Sequence, residues 1–435
     1  MNISDYKKIH FIGIGGIGMS ALARFFLHEK KEVRGSDRES TIITEALEKE
    51  GVNIFTSQIA DNISSDIDMI VYTEAMPQDH EEMEAARALR VPMVNYFEAL
   101  GQVANEYYLI AVAGTHGKTT TTAMLTDVLE EAGLDPTAII GSLRSKTGSN
   151  FRAGKSKYAV VEACEYKRDF LHLEPDVLVI TNIELDHVDY YKDLADVQDA
   201  FSALAQKIST DGYIITDTSN PNIKPILEGV EATVVDYRSQ VDLEIQLHQP
   251  GIHNRLNAGA VSATAGVFGI DKDLSRKALE DFAGTWRRFE YKGTFDNKNG
   301  RVPVYDDYGH HPTAISVTIA GAFELYPKHS ITVVFQSHTY TRTAELFAGF
   351  VLSLAKADKV IVLPIYAARA ENTSEVTSEK LATAITESGG KAISIQASEE
   401  AVEYIKKNTP TNGVVITMGA GDMTSKVAEG LVKNS

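Results

Sequence analysis

The segment with the clearest chemical potential in this chain is a short run of glycine, threonine, histidine and lysine. Residues 113–122 read Ala-Gly-Thr-His-Gly-Lys-Thr-Thr-Thr-Thr. A glycine turn that ends in Gly-Lys-Thr directs backbone N–H groups and a lysine ammonium at phosphates, and its threonine hydroxyl suits a magnesium ion. The run therefore predicts a site for ATP or GTP, with Lys118 on the outer phosphates and Thr119 near the metal. The spacing departs from the usual pattern, because Val112 stands where a glycine is expected, so a plain turn with a solvated lysine is the alternative.

A second glycine loop lies near the start of the chain. Gly13-Ile14-Gly15-Gly16-Ile17-Gly18 follows an apolar run, and Asp37 closes the next strand-like segment. Glycines there let the backbone approach a diphosphate, and an acid at this distance can hold a ribose hydroxyl. The pattern fits a nicotinamide dinucleotide and equally a UDP-sugar, which also carries a diphosphate and a ribose. A tight turn without a ligand is the third possibility.

Carboxylates and a histidine follow two later strand-like runs. Glu162 ends one of them, and Asp186 and His187 follow another. The carboxyl ends of parallel strands gather at one crevice, and hard oxygen ligands suit magnesium on a triphosphate. A histidine is a less usual magnesium ligand, so His187 is equally a hydrogen-bonding residue at a helix start. Cys164 fits a small core residue better than a nucleophile.

The elements that must position these residues alternate between strand and helix along the whole chain. Such alternation predicts an α/β fold of mostly parallel sheets covered by helices. Strand predictions include Lys8–Ile14, Tyr108–Val112, Tyr158–Glu162 and Val177–Asn182. The pattern restarts near residues 105 and 286, which predicts domains at 1–105, 106–286 and 287–435.

Composition limits the class of protein. The 435 residues carry a net charge of -18, which argues against nucleic acid or an anionic membrane as the main partner. The single cysteine excludes an intrachain disulfide framework and fits a reducing compartment. No signal-peptide core and no membrane-length apolar run is present, so a cytoplasmic enzyme without membrane insertion is expected.

Several motifs in order give the sequence a family resemblance. Gly114-Thr115-His116-Gly117-Lys118-Thr119 is followed by Thr181-Asn182-Ile183-Glu184 with Asp186-His187, and then by His253-Asn254-Arg255-Leu256-Asn257. This set resembles the Mur ligases, the ATP-dependent amide-forming enzymes of peptidoglycan precursor synthesis. Later motifs, Asp306-Asp307-Tyr308-Gly309-His310-His311 and His338-Thr339-Tyr340-Thr341-Arg342 among them, resemble the branch of the family that joins L-alanine to UDP-N-acetylmuramate.

The resemblance implies three domains: an N-terminal Rossmann-like domain for the UDP-sugar, a central P-loop NTPase-like domain for ATP, and a C-terminal Rossmann-like domain for the amino acid. It implies ATP, Mg²⁺, UDP-N-acetylmuramate and L-alanine as ligands, with the following site residues. The UDP-sugar residues are Gly15, Gly16, Ile17, Gly18 and Asp37; the ATP residues are Gly114, Thr115, His116, Gly117, Lys118, Thr119, Thr120, Asn254, Asn257, Arg288 and Asp307; the metal residues are Thr119, Glu162 and His187; and the amino-acid residues are Tyr308, His310, Tyr340 and Arg342.

Within this set, Lys118, Glu162, His187, His310 and Arg342 are the candidate catalytic residues. Arg342 suits the amino acid's carboxylate, because its planar fork binds a carboxylate bidentately. His310 suits the amine proton, because its ordinary pKa lies near neutrality. Without the resemblance, a surface salt bridge and a structural histidine are the simpler interpretations.

The sequence departs from the family pattern at several places. Glu162-Ala163-Cys164-Glu165-Tyr166-Lys167 replaces Glu-Ala-Asp-Glu-Ser-Asp, Thr73-Glu74-Ala75 replaces Ser-Ser-Ala, and Thr339 stands where many relatives carry arginine. Three other functions stay open: a recycling ligase that adds a tripeptide, a nicotinamide dehydrogenase, and a non-catalytic nucleotide-binding regulator. The oligomeric state, monomer or homodimer, also stays open.

Overall fold

A computed structural model describes residues 3–77, 79–297, 300–367 and 376–433 of the chain. These residues form two compact units. The first unit contains Met1–Glu184, Ala195–Val241 and Asn257–Ala283, and the second contains Leu185–Leu194, Asp242–Leu256 and Gly284–Ser435. The fold is α/β, with mostly parallel sheets flanked by helices, as the sequence predicts. None of the described helices is long and apolar enough to cross a membrane.

The first unit begins with a parallel sheet of five strands. They are β1 (Lys8–Ile12), β2 (Glu32–Ser36), β3 (Asn53–Phe55), β4 (Met69–Tyr72) and β5 (Met93–Asn95). Their order is β3-β2-β1-β4-β5. The accompanying helices are α1 (Ile17–His28), α2 (Ile42–Lys49), α3 (Glu81–Leu89) and α4 (Tyr96–Ala104), with short 3₁₀ helices at Ile3–Asp5 and Ala60–Asn62.

The central strand β1 is buried from Ile9 to Ile12 and mostly apolar there, as expected of a strand covered on both faces. The predicted strand Lys8–Ile14 ends earlier, at Ile12, because Gly13 turns the chain with a φ of 82°. Gly13 and Ile14 then donate their N–H groups to the carbonyl of Ser36, at 2.9 and 3.0 Å. The glycine loop is thereby fixed at the carboxyl edge of the sheet.

A second sheet of seven strands belongs to the same unit. They are β6 (Tyr108–Ala113), β7 (Thr137–Arg144), β8 (Ser149–Arg152), β9 (Tyr158–Glu162), β10 (Val177–Ile180), β11 (Tyr213–Thr216) and β12 (Thr233–Asp236). Their order is β12-β11-β10-β6-β9-β7-β8, and only the edge strand β8 is antiparallel to its neighbour.

The helices of this part of the chain are α5 (Lys118–Glu131), α6 (Leu194–Ala205), α7 (Ile252–Val267) and α8 (Lys272–Glu280), with 3₁₀ helices at Tyr166–His172, Lys224–Leu227 and Tyr237–Gln240. Strand β6 lies between β9 and β10, so the chain leaves it where the sheet order reverses. In open α/β sheets ligands bind at this kind of switch point. The loop 113–118 therefore lies where a ligand is expected.

Buried polar side chains join the first and second sheets. Arg24 of α1 donates from Nη1 to Oδ1 of Asn150 on β8, at 2.6 Å, and from Nε to Glu50 at 2.9 Å. Asn150 in turn donates to the carbonyl of Ile17 and to the hydroxyl of Ser20, at 2.5 and 2.9 Å. The predicted boundary at residue 105 therefore lies inside one compact unit, and the two predicted domain boundaries stay predictions.

The second unit contains a sheet of six strands. They are β13 (Glu290–Asn297), β14 (Gly300–Asp307), β15 (Ser330–His338), β16 (Lys359–Tyr366), β17 (Ala392–Ser394) and β18 (Gly413–Met418). Their order is β13-β14-β18-β15-β16-β17, with only β13 antiparallel. The helices are α9 (Pro312–Leu325), α10 (Tyr340–Glu345), α11 (Phe347–Leu354), α12 (Ser378–Glu387), α13 (Ser398–Asn408) and α14 (Asp422–Val432). One apolar core lies on each face of the sheet. Strands β14 and β15 both run parallel to β18, so their carboxyl ends lie at the same edge.

Candidate active site

The loop between β6 and α5 depends on two glycines in left-handed backbone conformations. Gly114 has a φ of 130° and Gly117 a φ of 86°. A side chain at Gly114 would collide with the hydroxyl of Thr181, and one at Gly117 would collide with the amide of Asn257. Both positions therefore lack room for a methyl group as well as the conformation for it. The structure places the predicted residue Asn257 directly on this loop.

The other loop residues are held by the segment that follows β10. Thr115 exchanges hydrogen bonds with the backbone of Glu184, at 2.8 and 3.2 Å. The N–H of His116 donates to the side chain of Asn182 at 2.9 Å, and its carbonyl accepts from Thr181 at 2.6 Å. The segment 181–184 thus fixes the shape of the loop.

Lys118 begins α5 and turns back over its own loop. Its ammonium donates to the carbonyls of Gly114 and Thr115, at 2.6 and 3.2 Å, and pairs with Glu165 at 2.7 Å. Burial lowers the pKa of this lysine, but Glu165 together with the neighbouring Cys164 and Glu162 outweighs that effect, and the pKa is raised. Lys118 therefore carries a full positive charge at neutral pH.

A pair of oxygen donors lies beside this lysine. The hydroxyl of Thr119 donates to Oε1 of Glu162 at 2.9 Å, and Oε2 of Glu162 accepts from the N–H of Gly141 on β7. A carboxylate and a hydroxyl at this distance are the hard donors that Mg²⁺ prefers, so the two residues fit the ion. Thr120, also in the first turn of α5, is buried.

Asp37 contacts the first glycine loop. One oxygen of its carboxylate accepts from the N–H of Gly15 at 2.8 Å. Gly16 precedes α1, which begins at Ile17, and Gly18 lies beneath the ring of Tyr96. The first unit therefore brings the five predicted UDP-sugar residues together at the amino end of α1, where backbone dipoles favour an anion.

In the second unit, Arg342 and Asp186 are buried together. The guanidinium donates from Nη2 to Oδ1 of Asp186 at 3.0 Å, and its Nη1 lies 3.2 Å from Nδ1 of His338. Burial favours the neutral form of Asp186, but Arg342 and the nearby histidines outweigh it and hold the pKa of this carboxyl well below its usual range. Arg342, the residue predicted to bind the carboxylate of the amino acid, thus already pairs with a carboxylate of its own chain.

His310 lies at the carboxyl end of β14. Its Nδ1 lies 2.9 Å from the carbonyl of Tyr308, and a carbonyl only accepts, so Nδ1 carries the proton. Burial, followed by the charge of Arg342, holds the pKa of His310 well below its usual value. The ring is therefore neutral at pH 7, with Nε2 as its basic nitrogen.

Two more predicted residues of the second unit, Asp307 and Arg288, lie close to Tyr308. Both oxygens of Asp307 accept backbone N–H groups, from Gly309 at 2.7 Å and Phe289 at 2.8 Å. The guanidinium of Arg288 lies 5.3 Å from the ring centre of Tyr308. Asp307 is thus held by its own unit.

Three further predicted residues occupy defined positions in the second unit. Asn254 donates to the carbonyl of Pro250 at 2.9 Å. Tyr340 begins α10, after Thr339, whose φ is 65°. His187, also left-handed with a φ of 53°, donates its N–H to Oδ1 of Asp186 at 2.7 Å. His187 belongs to the second unit, whereas Glu162 and Thr119 belong to the first.

Sequence reasoning missed three residues that the structure brings to these loops. Glu165 pairs with Lys118, and the side chain of Asn182 accepts the N–H of His116. Glu165 and Asn182 both stand within the family motifs but were not predicted as site residues. The signal available in the sequence was that Glu165 stands close to Glu162 and Asn182 stands close to Glu184. Tyr96 lies outside every motif, and only its contact with Gly18 identifies it.

The arrangement provides two anion-binding loops in one unit and a neutral imidazole beside a guanidinium in the other. Such a protein can bind a diphosphate and a triphosphate, and it can stabilise a moving phosphoryl group. The fold and the two loops define a nucleotide-binding α/β protein with a P-loop.

The chain belongs to the Mur ligase family. Three family profiles match it: the Mur ligase family catalytic domain at residues 8–108, the Mur ligase middle domain at 112–239, and the Mur ligase glutamate ligase domain at 287–421. The resemblance stated from the motifs is thereby confirmed.

Curated relatives match nearly the whole chain. A UDP-N-acetylmuramate--L-alanine ligase from Clostridium perfringens is 38% identical, with 98% of each chain covered. Proteins of the same name from Caldanaerobacter subterraneus and Clostridium tetani are 36% and 39% identical, over 97% and 96% of this chain and the same shares of theirs.

Solved structures agree with the fold. The UDP-N-acetylmuramate-alanine ligase of Thermotoga maritima has a TM-score of 0.82 at 29% identity, covering 98% of this chain and 100% of that one. A murein peptide ligase from Psychrobacter arcticus has a TM-score of 0.73 at 23% identity, covering 98% of both, and it supports the fold alone.

Proposed function

We propose that the protein is an ATP-dependent ligase that joins L-alanine to the carboxylate of UDP-N-acetylmuramate, giving ADP and phosphate, in peptidoglycan precursor synthesis. The observation that carries this proposal is the 36–39% identity, over 96–98% of the chain, to relatives with that named activity. The two anion-binding loops of the first unit support it, because the reaction needs one site for a sugar diphosphate and another for ATP.

The sugar nucleotide would bind at the first glycine loop. Ile17 and Gly18, at the amino end of α1, would offer backbone N–H groups to the diphosphate, and Gly15 and Gly16 would let it approach the backbone. Asp37, which accepts the N–H of Gly15, lies beside the loop for the ribose. A dehydrogenase would use the same loop for a nicotinamide cofactor, but it would leave the P-loop without a role.

The first chemical step activates the carboxylate. An oxygen of the sugar's carboxylate attacks the γ-phosphorus of ATP, the bond to the β,γ-bridging oxygen breaks, and an acyl phosphate and ADP result. Lys118 neutralises charge on the transferred group, which requires its ammonium to exchange Glu165 or a loop carbonyl for phosphate oxygens. Thr115, His116 and the two loop glycines hold the phosphate chain in position.

Thr119, Glu162 and His187 would hold Mg²⁺. The ion would supply positive charge that offsets the negative charge of the phosphates during transfer. Among these residues, Glu162 is oriented by the N–H of Gly141 and by Thr119, so one oxygen edge already faces the start of α5.

The second step forms the amide. The neutral amine of L-alanine attacks the acyl carbon, and the tetrahedral intermediate collapses with loss of phosphate. His310 suits the role of proton acceptor, because its ring is neutral and Nε2 is basic. Arg342 suits the amino acid's carboxylate, with Tyr308 and Tyr340 as further pocket residues; Asn254, Asn257, Arg288 and Asp307 are proposed ATP contacts.

One assay tests the function. Phosphate release from ATP is measured with UDP-N-acetylmuramate and, in turn, L-alanine, other amino acids and the tripeptide of the recycling reaction. We expect release with L-alanine. We also propose that the reaction takes place in the cytoplasm, because a chain with a single cysteine fits a reducing compartment. Release with tripeptide alone would replace this function by the recycling ligase, and nucleotide binding without any release would indicate a regulator.

A further inference from the structure

Tyr96 opens helix α4 and lies against the first glycine loop. A Cβ atom at Gly18 would lie 2.7 Å from the Tyr96 hydroxyl and 2.6 Å from the ring carbon that carries it. Only glycine therefore leaves room for this ring at the start of α1. The contact places a phenol directly beside the loop that is proposed to hold the sugar diphosphate.

The phenol of Tyr96 also lies close to the end of β9, near enough for the charges of Glu162 and Cys164 to act on it. Helix α4 packs on the 3₁₀ helix there: the side chain of Asn105 donates to the carbonyl of His172 at 3.0 Å, and Gly101 approaches the same backbone closely. Burial, followed by the charges of Glu162 and Cys164, raises the pKa of Tyr96. The phenol therefore keeps its proton and can act as a hydrogen-bond donor.

This position lies between two points that the substrate must connect. The sugar nucleotide binds at the loop that contains Gly18, and its carboxylate must reach a phosphate held near Thr119 and Glu162. No hydrogen bond of the Tyr96 hydroxyl is found within the described part of the chain. A carboxylate accepts hydrogen bonds and cannot donate them, so a protonated phenol is its matching partner.

We propose that Tyr96 is a substrate-binding residue whose hydroxyl donates a hydrogen bond to the reacting lactyl carboxylate of the sugar nucleotide. This inference rests on the proposed function and adds a residue to its sugar-nucleotide site. The bond holds the carboxylate on the side of the site that faces Glu162, so it orients the group for attack on the γ-phosphorus.

The test compares Tyr96→Phe with the unchanged protein by calorimetric binding of three ligands. UDP contains the uridine and the diphosphate, UDP-N-acetylglucosamine adds the sugar without the lactyl group, and UDP-N-acetylmuramate adds the lactyl carboxylate. We expect UDP-N-acetylmuramate to bind about 10- to 100-fold more weakly to the variant, the range for one lost hydrogen bond to a charged group. Binding of the other two ligands and the KM for ATP should not change.

Tyr158→Phe is the matched control. Tyr158 starts β9, at the opposite end of the strand from Glu162, and its ring packs on Tyr108 and Phe268 at 5.6 and 5.4 Å between ring centres. This control should bind all three ligands normally. Equal weakening of UDP and UDP-N-acetylmuramate in Tyr96→Phe would place the hydroxyl on the diphosphate and overturn the proposal.

Unchanged binding of all three ligands to Tyr96→Phe would overturn the proposal as well. Retained binding of UDP shows that the variant is folded, because UDP needs an intact glycine loop. Failure of the proposed function is a separate result: the unchanged protein would then release no phosphate with UDP-N-acetylmuramate and L-alanine.

Discussion

Asp186 and Arg342 stand 156 positions apart in the sequence and form a buried ion pair of 3.0 Å in the second unit. The arginine proposed to clamp the amino acid is thus already oriented by a carboxylate of its own chain. Its Nε atom is buried and has no hydrogen-bond partner among the described residues. The guanidinium can therefore keep Asp186 while it offers further donors to a substrate carboxylate.

Replacing Arg342 tests this arrangement. We expect Arg342→Ala to raise the KM for L-alanine and to lower the free energy of unfolding by about 3–5 kcal/mol, because Asp186 is left as a buried unpaired charge. Urea unfolding and amino-acid titrations measure the two effects. The double variant Arg342→Ala/Asp186→Asn should recover part of the stability but not the affinity, whereas additive losses in stability or an unchanged KM would contradict the roles given to the pair.

Lys118 provides the second prediction. Lys118→Ala should lower kcat for phosphate release by about 100- to 1000-fold, the usual loss when a preorganised donor to a transition state is removed. Binding of UDP-N-acetylmuramate, which uses the other loop, should be unaffected and serves as the control. Unchanged ligase activity would remove the loop 114–119 from the mechanism.

Alanine substitutions at Gly117 and at Gly133 distinguish the effect of backbone strain from the effect of a close side-chain contact. Both have positive φ, 86° and 74°, but a Cβ at Gly117 meets Asn257, whereas nothing lies within 4 Å of one at Gly133. Alanine at either position should cost about 1–2 kcal/mol of stability through the left-handed conformation. Only Gly117→Ala should also weaken ATP binding, measured by calorimetry; equal ATP affinities in the two variants would contradict the role of the close contact.

Asn150 carries the fourth prediction. Its side chain is fully buried and bonds to Arg24, Ile17 and Ser20, so Asn150→Ala removes three buried hydrogen bonds. We expect a loss of about 1–3 kcal/mol in the free energy of unfolding. Asn412→Ala, which removes an exposed side chain bonded to the carbonyl of Lys328, is the control and should change stability little. Similar losses in both variants would argue against a special role for the link between the sheets.

Asp169 predicts a pH effect on stability. Its carboxyl is buried, and burial, Glu74 and Glu98 outweigh Lys167 and raise its pKa to about 7. The unfolded chain releases this proton near pH ~3.9, so between pH 4 and 7 the folded state holds one more proton and stability falls as pH rises. Asp169→Asn should therefore gain stability relative to the unchanged protein, by about 2 kcal/mol after a discount for solvent screening, at pH 8 but not at pH 4.

Urea unfolding at several pH values measures this difference. Glu174→Gln is a suitable control, because Glu174 is an exposed acid on the same connection. A difference between Asp169→Asn and the unchanged protein that stays constant with pH would show that Asp169 does not titrate in this range.

The sequence predicts the loops of the site better than their partners. Gly114–Thr119 was predictable because a strand, a turn and a helix adjoin in the chain, and their geometry follows locally. The pairs Lys118–Glu165 and Arg342–Asp186 join residues 47 and 156 positions apart. These contacts depend on how the strands are arranged in the folded sheets, which the local sequence does not show. Strand β13 was not predicted, because its residues are mostly polar or exposed and lack an apolar alternation.

Cys164 stands between Glu162 and Glu165, next to the ATP loop, and burial raises the pKa of its thiol to about 12. Peroxides and alkylating agents react with thiolates, which are scarce at neutral pH when the pKa is this high. The single sulfhydryl of the chain is therefore a poor target for such reagents, despite its position. Oxidants that react quickly with exposed catalytic thiols should therefore react slowly with this thiol.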